Sequence, residues 1–187
     1  MANMKRVGFG QVEPNHLSAQ RTFQIYAQLP AHVKGAVLTA DSITQLENGQ
    51  YVKYDYANNE VNFTGEGEWM MVFNEVKLYD GYRETYKDFA LQTKDFTDGV
   101  MTPRVIKTNV GDIYTTNCLK AAGAKDVETT MEDLAEGDHL VINADGFLQK
   151  DTKTGSAWDT TTGIIFQVVK RYNLPDMQEA VKVMRIN

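Results

Sequence analysis

The chain has 187 residues, 42% of them hydrophobic and 24% charged, with one cysteine and a formal net charge of −6. A single domain of this length buries roughly 70% of its unfolded surface, so it needs no disulfide or metal staple to hold a core. One cysteine excludes an internal disulfide and a thiolate metal cage, and the acidic balance argues against binding the phosphate backbone of nucleic acid.

Residues 1–34 stand apart from the rest. They carry Lys5, Arg6, Arg21 and Lys34 against Glu13 alone, a charge of +3 that leaves −9 for the remainder. After Lys5 and Arg6 comes "VGFGQVEPNH", which lacks the apolar core of a signal peptide, so the chain is expected to be made and kept in a cytoplasm. Leu17, Phe23, Ile25, Tyr26 and Leu29 are denser apolar residues than a disordered tail carries. Pro14 and Pro30 interrupt regular structure on either side. These five residues are the candidate anchors of an extended N-terminal interaction arm, with a mobile tail as the alternative and a short helix between the prolines left open.

Residues 35–187 read as one β-rich domain. Asn48-Gly49, Asp80-Gly81, Asp98-Gly99 and Asp145-Gly146 are dipeptides that hairpins prefer, because both residues tolerate positive φ. "YVKYDY" sets Val52, Tyr54 and Tyr56 on one face with Tyr51, Lys53 and Asp55 opposite. "EWMMVF" is apolar from Trp69 to Phe73, as in a strand buried on both faces. "GYRETYKDFAL" places Tyr82, Tyr86 and Phe89 at helical spacing between neighbours that look like strands, and "DVETTMEDLAEGD" fits a short acidic helix or a solvated loop. "LENGQYV" and "LAEGDHL" share Leu-x-x-Gly-x-x-apolar, which reads as one strand-opening turn used twice. "DHLVIN", Asp145-Gly146 and "FLQ" form a tight hairpin, and Ile164–Tyr172 with Ala180–Ile186 form a closing hairpin around "PDMQ". Short strands at this spacing predict an all-β small barrel or sandwich of antiparallel strands.

Chemistry is hard to find. His16, His32 and His139 fall in no ligand-spaced motif, so no metal site is expected. "GFG" lacks the third glycine and the flanking strand and helix of a dinucleotide fingerprint. "TGSAW" lacks the second glycine of a nucleophile elbow and reads as a turn presenting Trp158. Glu128, Glu132, Asp133, Glu136 and Asp138 are not spaced like a calcium loop and suit a solvated face. The Asn62-Phe63-Thr64 sequon is expected to be a coincidence, because no secretion is expected. The expectation is no enzyme, no cofactor and, with no apolar run near 18 residues, no membrane span.

Six stretches carry a family resemblance: "MKRVGFGQVEPNHLSAQ" with "IYAQLP", "LENGQYVKYDY", "GEWMMVFNEVKLYD", "VIKTNVGDIYTTN" and "FQVVKRYNLPDMQEAVKVMRI". Over nearly the whole chain they resemble the virion structural proteins of tailed bacteriophages. The resemblance implies a head decoration, or auxiliary capsid, protein that binds and stabilises the outer capsid surface. Its implied partners are the major capsid protein and neighbouring copies of itself, oligomeric on the particle and assembled in the host cytoplasm. It transfers no active-site residue. The alternative is a tail, neck or fibre β-domain that binds a partner protein or a host-surface glycan, with Trp158 as a stacking residue.

Overall fold

The computed structural model describes residues 17–19, 25–28, 43–74, 77–80, 85–88, 90–93, 101–120, 133–151, 163–174 and 177–187. These form fifteen strands and, among the described residues, no α-helix. The protein is all-β, as its turn-punctuated alternation predicts. In chain order the strands are β1 (Leu17–Ala19), β2 (Ile25–Gln28), β3 (Gln45–Leu46), β4 (Tyr51–Asp55), β5 (Glu60–Asn62), β6 (Trp69–Val72), β7 (Lys77–Asp80) and β8 (Thr85–Asp88). There follow β9 (Leu91–Gln92), β10 (Arg104–Ile106), β11 (Ile113–Thr116), β12 (His139–Ile142), β13 (Leu148–Lys150), β14 (Ile165–Asn173) and β15 (Glu179–Arg185).

Two sheets dominate. A six-stranded sheet runs β1-β11-β15-β14-β12-β13 and a five-stranded sheet runs β2-β10-β6-β4-β5; β3-β9 and β7-β8 are two-stranded ribbons. Their faces meet in one core, where Tyr51, Trp69, Met71 and Ile106 pack on Tyr114, Leu140, Phe166, Val168, Val181 and Val183. On its other face the five-stranded sheet sends Val52, Val61, Met70, Val72 and Val105 against Ile43, Leu46, Leu91 and Met101. That is why "WMMV" lacks a polar face: alternate side chains of β6 enter different cores, and all four residues are buried. Each such side chain contributes about 1.5–3 kcal/mol of transfer free energy.

The C-terminal hairpin matches its sequence signal closely. β14 pairs with β15 from Phe166↔Arg185 to Asn173↔Glu179, with a register shift between Val168 and Lys170. The extra residue, Val169, turns the alternation over, so Val168 stays in the core while Lys170 faces Lys182 across the pair. The β12–β13 hairpin is held by Asn143, whose side-chain oxygen accepts the backbone N–H groups of Asp145 and Phe147, both at 2.9 Å. Gly146 takes φ +80°, and a Cβ there would lie 2.0 Å from the Tyr51 carbonyl oxygen, so only glycine fits.

The strand-opening turn shared by "LENGQYV" and "LAEGDHL" occurs three times. In Glu47–Gln50, Asn109–Asp112 and Ala135–Asp138 the third residue is a glycine at φ +89°, +89° and +90°. In each, the fourth residue's N–H donates to the first residue's carbonyl, at 3.0–3.1 Å. Each fourth side chain, Gln50, Asp112 or Asp138, accepts the first residue's N–H at 3.1, 2.7 and 2.8 Å. The glycine then donates to a neighbouring strand, at Val72, Arg185 or Val168, and that same residue donates back to the turn's last carbonyl. The turns thus launch β4, β11 and β12 already bonded to β6, β15 and β14.

Two expectations are corrected. Asn48-Gly49 is not a hairpin turn: it joins β3 to β4, which lie in different sheets, and Asn48 is fully buried. Its side chain exchanges hydrogen bonds with the Asn74 backbone, at 2.7 and 3.1 Å, as a neighbouring strand would. The helical spacing of Tyr82, Tyr86 and Phe89 does not produce a helix at its centre, because Thr85–Asp88 pairs with Lys77–Asp80 as a strand. Asp98-Gly99, Trp158 and Glu128 and Glu132 of the acidic run lie outside the described residues.

Candidate partner-binding site

Of the site residues expected in the N-terminal segment, Leu17, Ile25 and Tyr26 fall on two sheet edges. Leu17 opens β1, where it pairs with Thr116, and the ladder continues through Ser18↔Thr115 and Ala19↔Tyr114. β1 is the outermost strand of the six-stranded sheet. Ile25 pairs with Ile106 in β2, the outermost strand of the five-stranded sheet. Ala27 and Gln28 pair with Val105 and Arg104, so Tyr26 is the extra residue of a bulge. Phe23 and Leu29 lie outside the described residues. One short stretch of chain therefore completes the edges of both large sheets.

An edge strand exposes a row of unpaired N–H and C=O groups that invites another strand. The two remaining edges are handled locally. The outer side of β13 is bonded by the Lys120 N–H to the Leu148 carbonyl at 2.9 Å, next to a parallel bridge between Leu119 and Leu148. β5 is three residues long and carries Glu60. The edges of β11 and β10 are covered by β1 and β2 instead. Chemically, the arrangement is main-chain pairing in register within one chain, Leu17–Ala19 on β11 and Ile25–Gln28 on β10.

A second concave feature lies where the two sheets part. A cleft of about 540 Å³ is lined by Lys53, Phe63, Glu68, Trp69, Asn143 and Arg185, among others. The Lys53 ammonium sits 4.9 Å over the Trp69 ring, and Glu68 pairs with Lys107 at 3.0 Å. The Arg185 guanidinium donates to the Thr108 carbonyl and the Asn187 carbonyl. Its polar groups are thus engaged with their own neighbours.

Elsewhere among the described residues, two buried phenols and the Asp138 carboxyl have shifted titration. The Tyr51 and Tyr114 hydroxyls meet at 2.5 Å in the shared core, and burial pushes both phenols well above their ordinary value. Burial alone would raise the Asp138 carboxyl, but Lys150, 2.7 Å away, and the Ala135 N–H outweigh it and hold the carboxyl below its ordinary value. Cys118 is buried, and His139 is half-buried in β12. Among the described residues no three His, Cys, Asp or Glu side chains are grouped to hold a metal ion.

Apolar density in the sequence singled out Leu17, Ile25 and Tyr26 but not their placement on two different sheets. That placement depends on which body strands lack a second neighbour, which no local pattern records. No family model, no curated protein and no solved structure matches the chain.

Proposed function

We propose that the chain is a non-enzymatic structural protein of a tailed-phage virion, a head decoration protein that binds the outer capsid surface through its N-terminal segment. The observation that carries the reading is the double edge completion by β1 and β2. A segment that docks by main-chain pairing on two sheets has the chemistry of a recognition arm. The resemblance of the six stretches to virion structural proteins supplies the particle. The charge division, +3 for residues 1–34 and −9 beyond, favours the outer face of the shell, since an acidic body is repelled by packaged DNA.

Ordering a docked strand costs about 1–2 kcal/mol per residue in backbone entropy. Ladder hydrogen bonds return about 0.5–1.5 kcal/mol each and buried anchors about 1.5–3 kcal/mol each, so a few anchors suffice.

Quantitative mass spectrometry of density-purified virions tests the reading. A copy number in near-integer ratio to the major capsid protein, with the body accessible to surface labelling of intact particles, supports decoration. A handful of copies assigns the protein to the neck, tail or fibre instead. Absence from the particle rejects both.

A further inference from the structure

We infer that the N-terminal strands are exchanged between copies of this chain: Leu17–Ala19 and Ile25–Gln28 of one copy complete the β11 and β10 edges of another. The inference rests on the recognition-arm reading and puts a second copy, in place of the capsid surface, as what Leu17–Ala19 and Ile25–Gln28 bind.

The geometry has three parts. First, β1 and β2 are the end strands of two different sheets, and each pairs on one side only. Lifting both away breaks no pairing among the other thirteen strands. Second, β1 and β2 do not pair with each other, so the segment has no sheet of its own and gains its order from the body it lies on. Third, residues 29–42 separate β2 from β3 in the sequence. Fourteen residues reach up to roughly 50 Å when extended, well beyond the radius of gyration of about 16 Å expected for a domain of this size.

Exchange of an identical element recreates in trans every bond made in cis, so association costs no contact. An emptied β11 or β10 edge would also be a liability, since each is a ready template for any strand. A second copy is the occupant whose register is already correct for both edges at once, Leu17–Ala19 on Tyr114–Thr116 and Ile25–Gln28 on Arg104–Ile106. Handed from copy to copy, the segment would link bodies into a ring or a chain, and the arm's opposite charge would draw it to a neighbouring acidic body.

The test uses the full chain with cysteines placed at one register pair, Gln28 and Arg104. Gln28→Cys and Arg104→Cys are made as separate proteins, mixed in equal amounts, unfolded, refolded together and oxidised. A disulfide between positions 28 and 104 can then form only between two chains. Cys118 is fully buried, and peptide mapping distinguishes any product that involves it. Exchange predicts a covalent heterodimer joined 28 to 104 as the dominant oxidised product, increasing with protein concentration. The double variant Gln28→Cys/Arg104→Cys serves as the control. If it closes efficiently within single chains while the mixture stays unlinked, exchange is refuted and the segment folds back in cis. If neither forms the 28–104 bond, the pairing itself is refuted and exchange with it. Because the assay needs only purified protein, its failure leaves virion copy number as the separate measure of the decoration reading.

Discussion

At the level of single residues, the buried tyrosine pair shows how the core holds polar atoms without a site. Tyr51 and Tyr114 come from different sheets, and both meet the Phe166 ring, tilted and edge-on respectively, with ring centroids 5.7 and 5.6 Å away. Their hydroxyls satisfy each other across the sheet interface. Tyr114→Phe takes away the hydroxyl that Tyr51 bonds, at an expected cost of about 1–3 kcal/mol in urea denaturation. Adding Tyr51→Phe should recover part of that loss, because replacing both partners by apolar groups leaves nothing unsatisfied. A double variant no more stable than Tyr114→Phe would refute the pairing. The same burial fixes a pH dependence. A phenol whose folded pKa exceeds its unfolded value of 10 contributes stability that is whole below pH 10 and is lost as the pH climbs above it, since only the unfolded chain ionises there. Spectroscopic titration of the folded protein should leave at least two of the nine tyrosines silent until unfolding releases them. The Asn62 sequon is likewise occupied by structure: its amide donates to Asp55 at 3.1 Å and its oxygen accepts the Thr64 and Gly65 N–H groups.

At the level of elements, the three strand-opening turns divide their work between backbone and side chain. Gly137 has open space where a Cβ would go, so Gly137→Ala isolates the strain of its positive φ, about 1–2 kcal/mol. Gly49→Ala should cost more, because its Cβ would lie 2.9 Å from the Thr116 hydroxyl oxygen and 3.0 Å from the Cys118 Cβ. Equal losses in thermal or urea unfolding would contradict this ranking. Asp138 supplies the side-chain half. Its carboxyl is held below the ordinary value, so its stabilisation is present above pH 3.8 and is lost as the pH falls through the depressed folded value. The stability gap between the wild type and Asp138→Asn should therefore be open at neutral pH and close in acid. Two of the turns were legible as a repeated Leu-x-x-Gly spacing, and the structure shows why: the glycine conformation and the bond to the next strand are both local requirements. The third, at Asn109–Asp112, lacks the leading leucine, so the spacing missed it. Asn143 was legible only as part of a hairpin, because its three side-chain hydrogen bonds include one to Lys120, 23 residues away. β8 was obscured because Tyr86 alternates in a strand and also completes a helical spacing with Tyr82 and Phe89. The double edge role of residues 17–28 had no local signal at all.

At the level of the whole molecule, the five-stranded sheet lies between the two cores of the described body, and that placement predicts one cooperative unit. Met70 and Met71 are adjacent in β6 and both essentially inaccessible to solvent, yet they belong to different cores. Each truncation, Met70→Ala or Met71→Ala, removes a buried thioether side chain and should cost about 2–5 kcal/mol. If the two cores were independent layers, each variant would split the unfolding curve, with its own layer melting early. Sharing one sheet forbids that. Loosening the β6 ladder from either side breaks its pairing with β4 and β10, and with it the support of the other core. Both variants should therefore move a single transition, with far-UV dichroism of the sheets and tryptophan fluorescence giving coincident midpoints. Separated midpoints in either variant would mean that the sheet does not couple its two faces, and that the chain's strands belong to two stability units rather than one. Coincidence would also suit a protein that docks through its sheet edges, because strain from a partner strand at β10 or β11 would be carried by the entire sandwich.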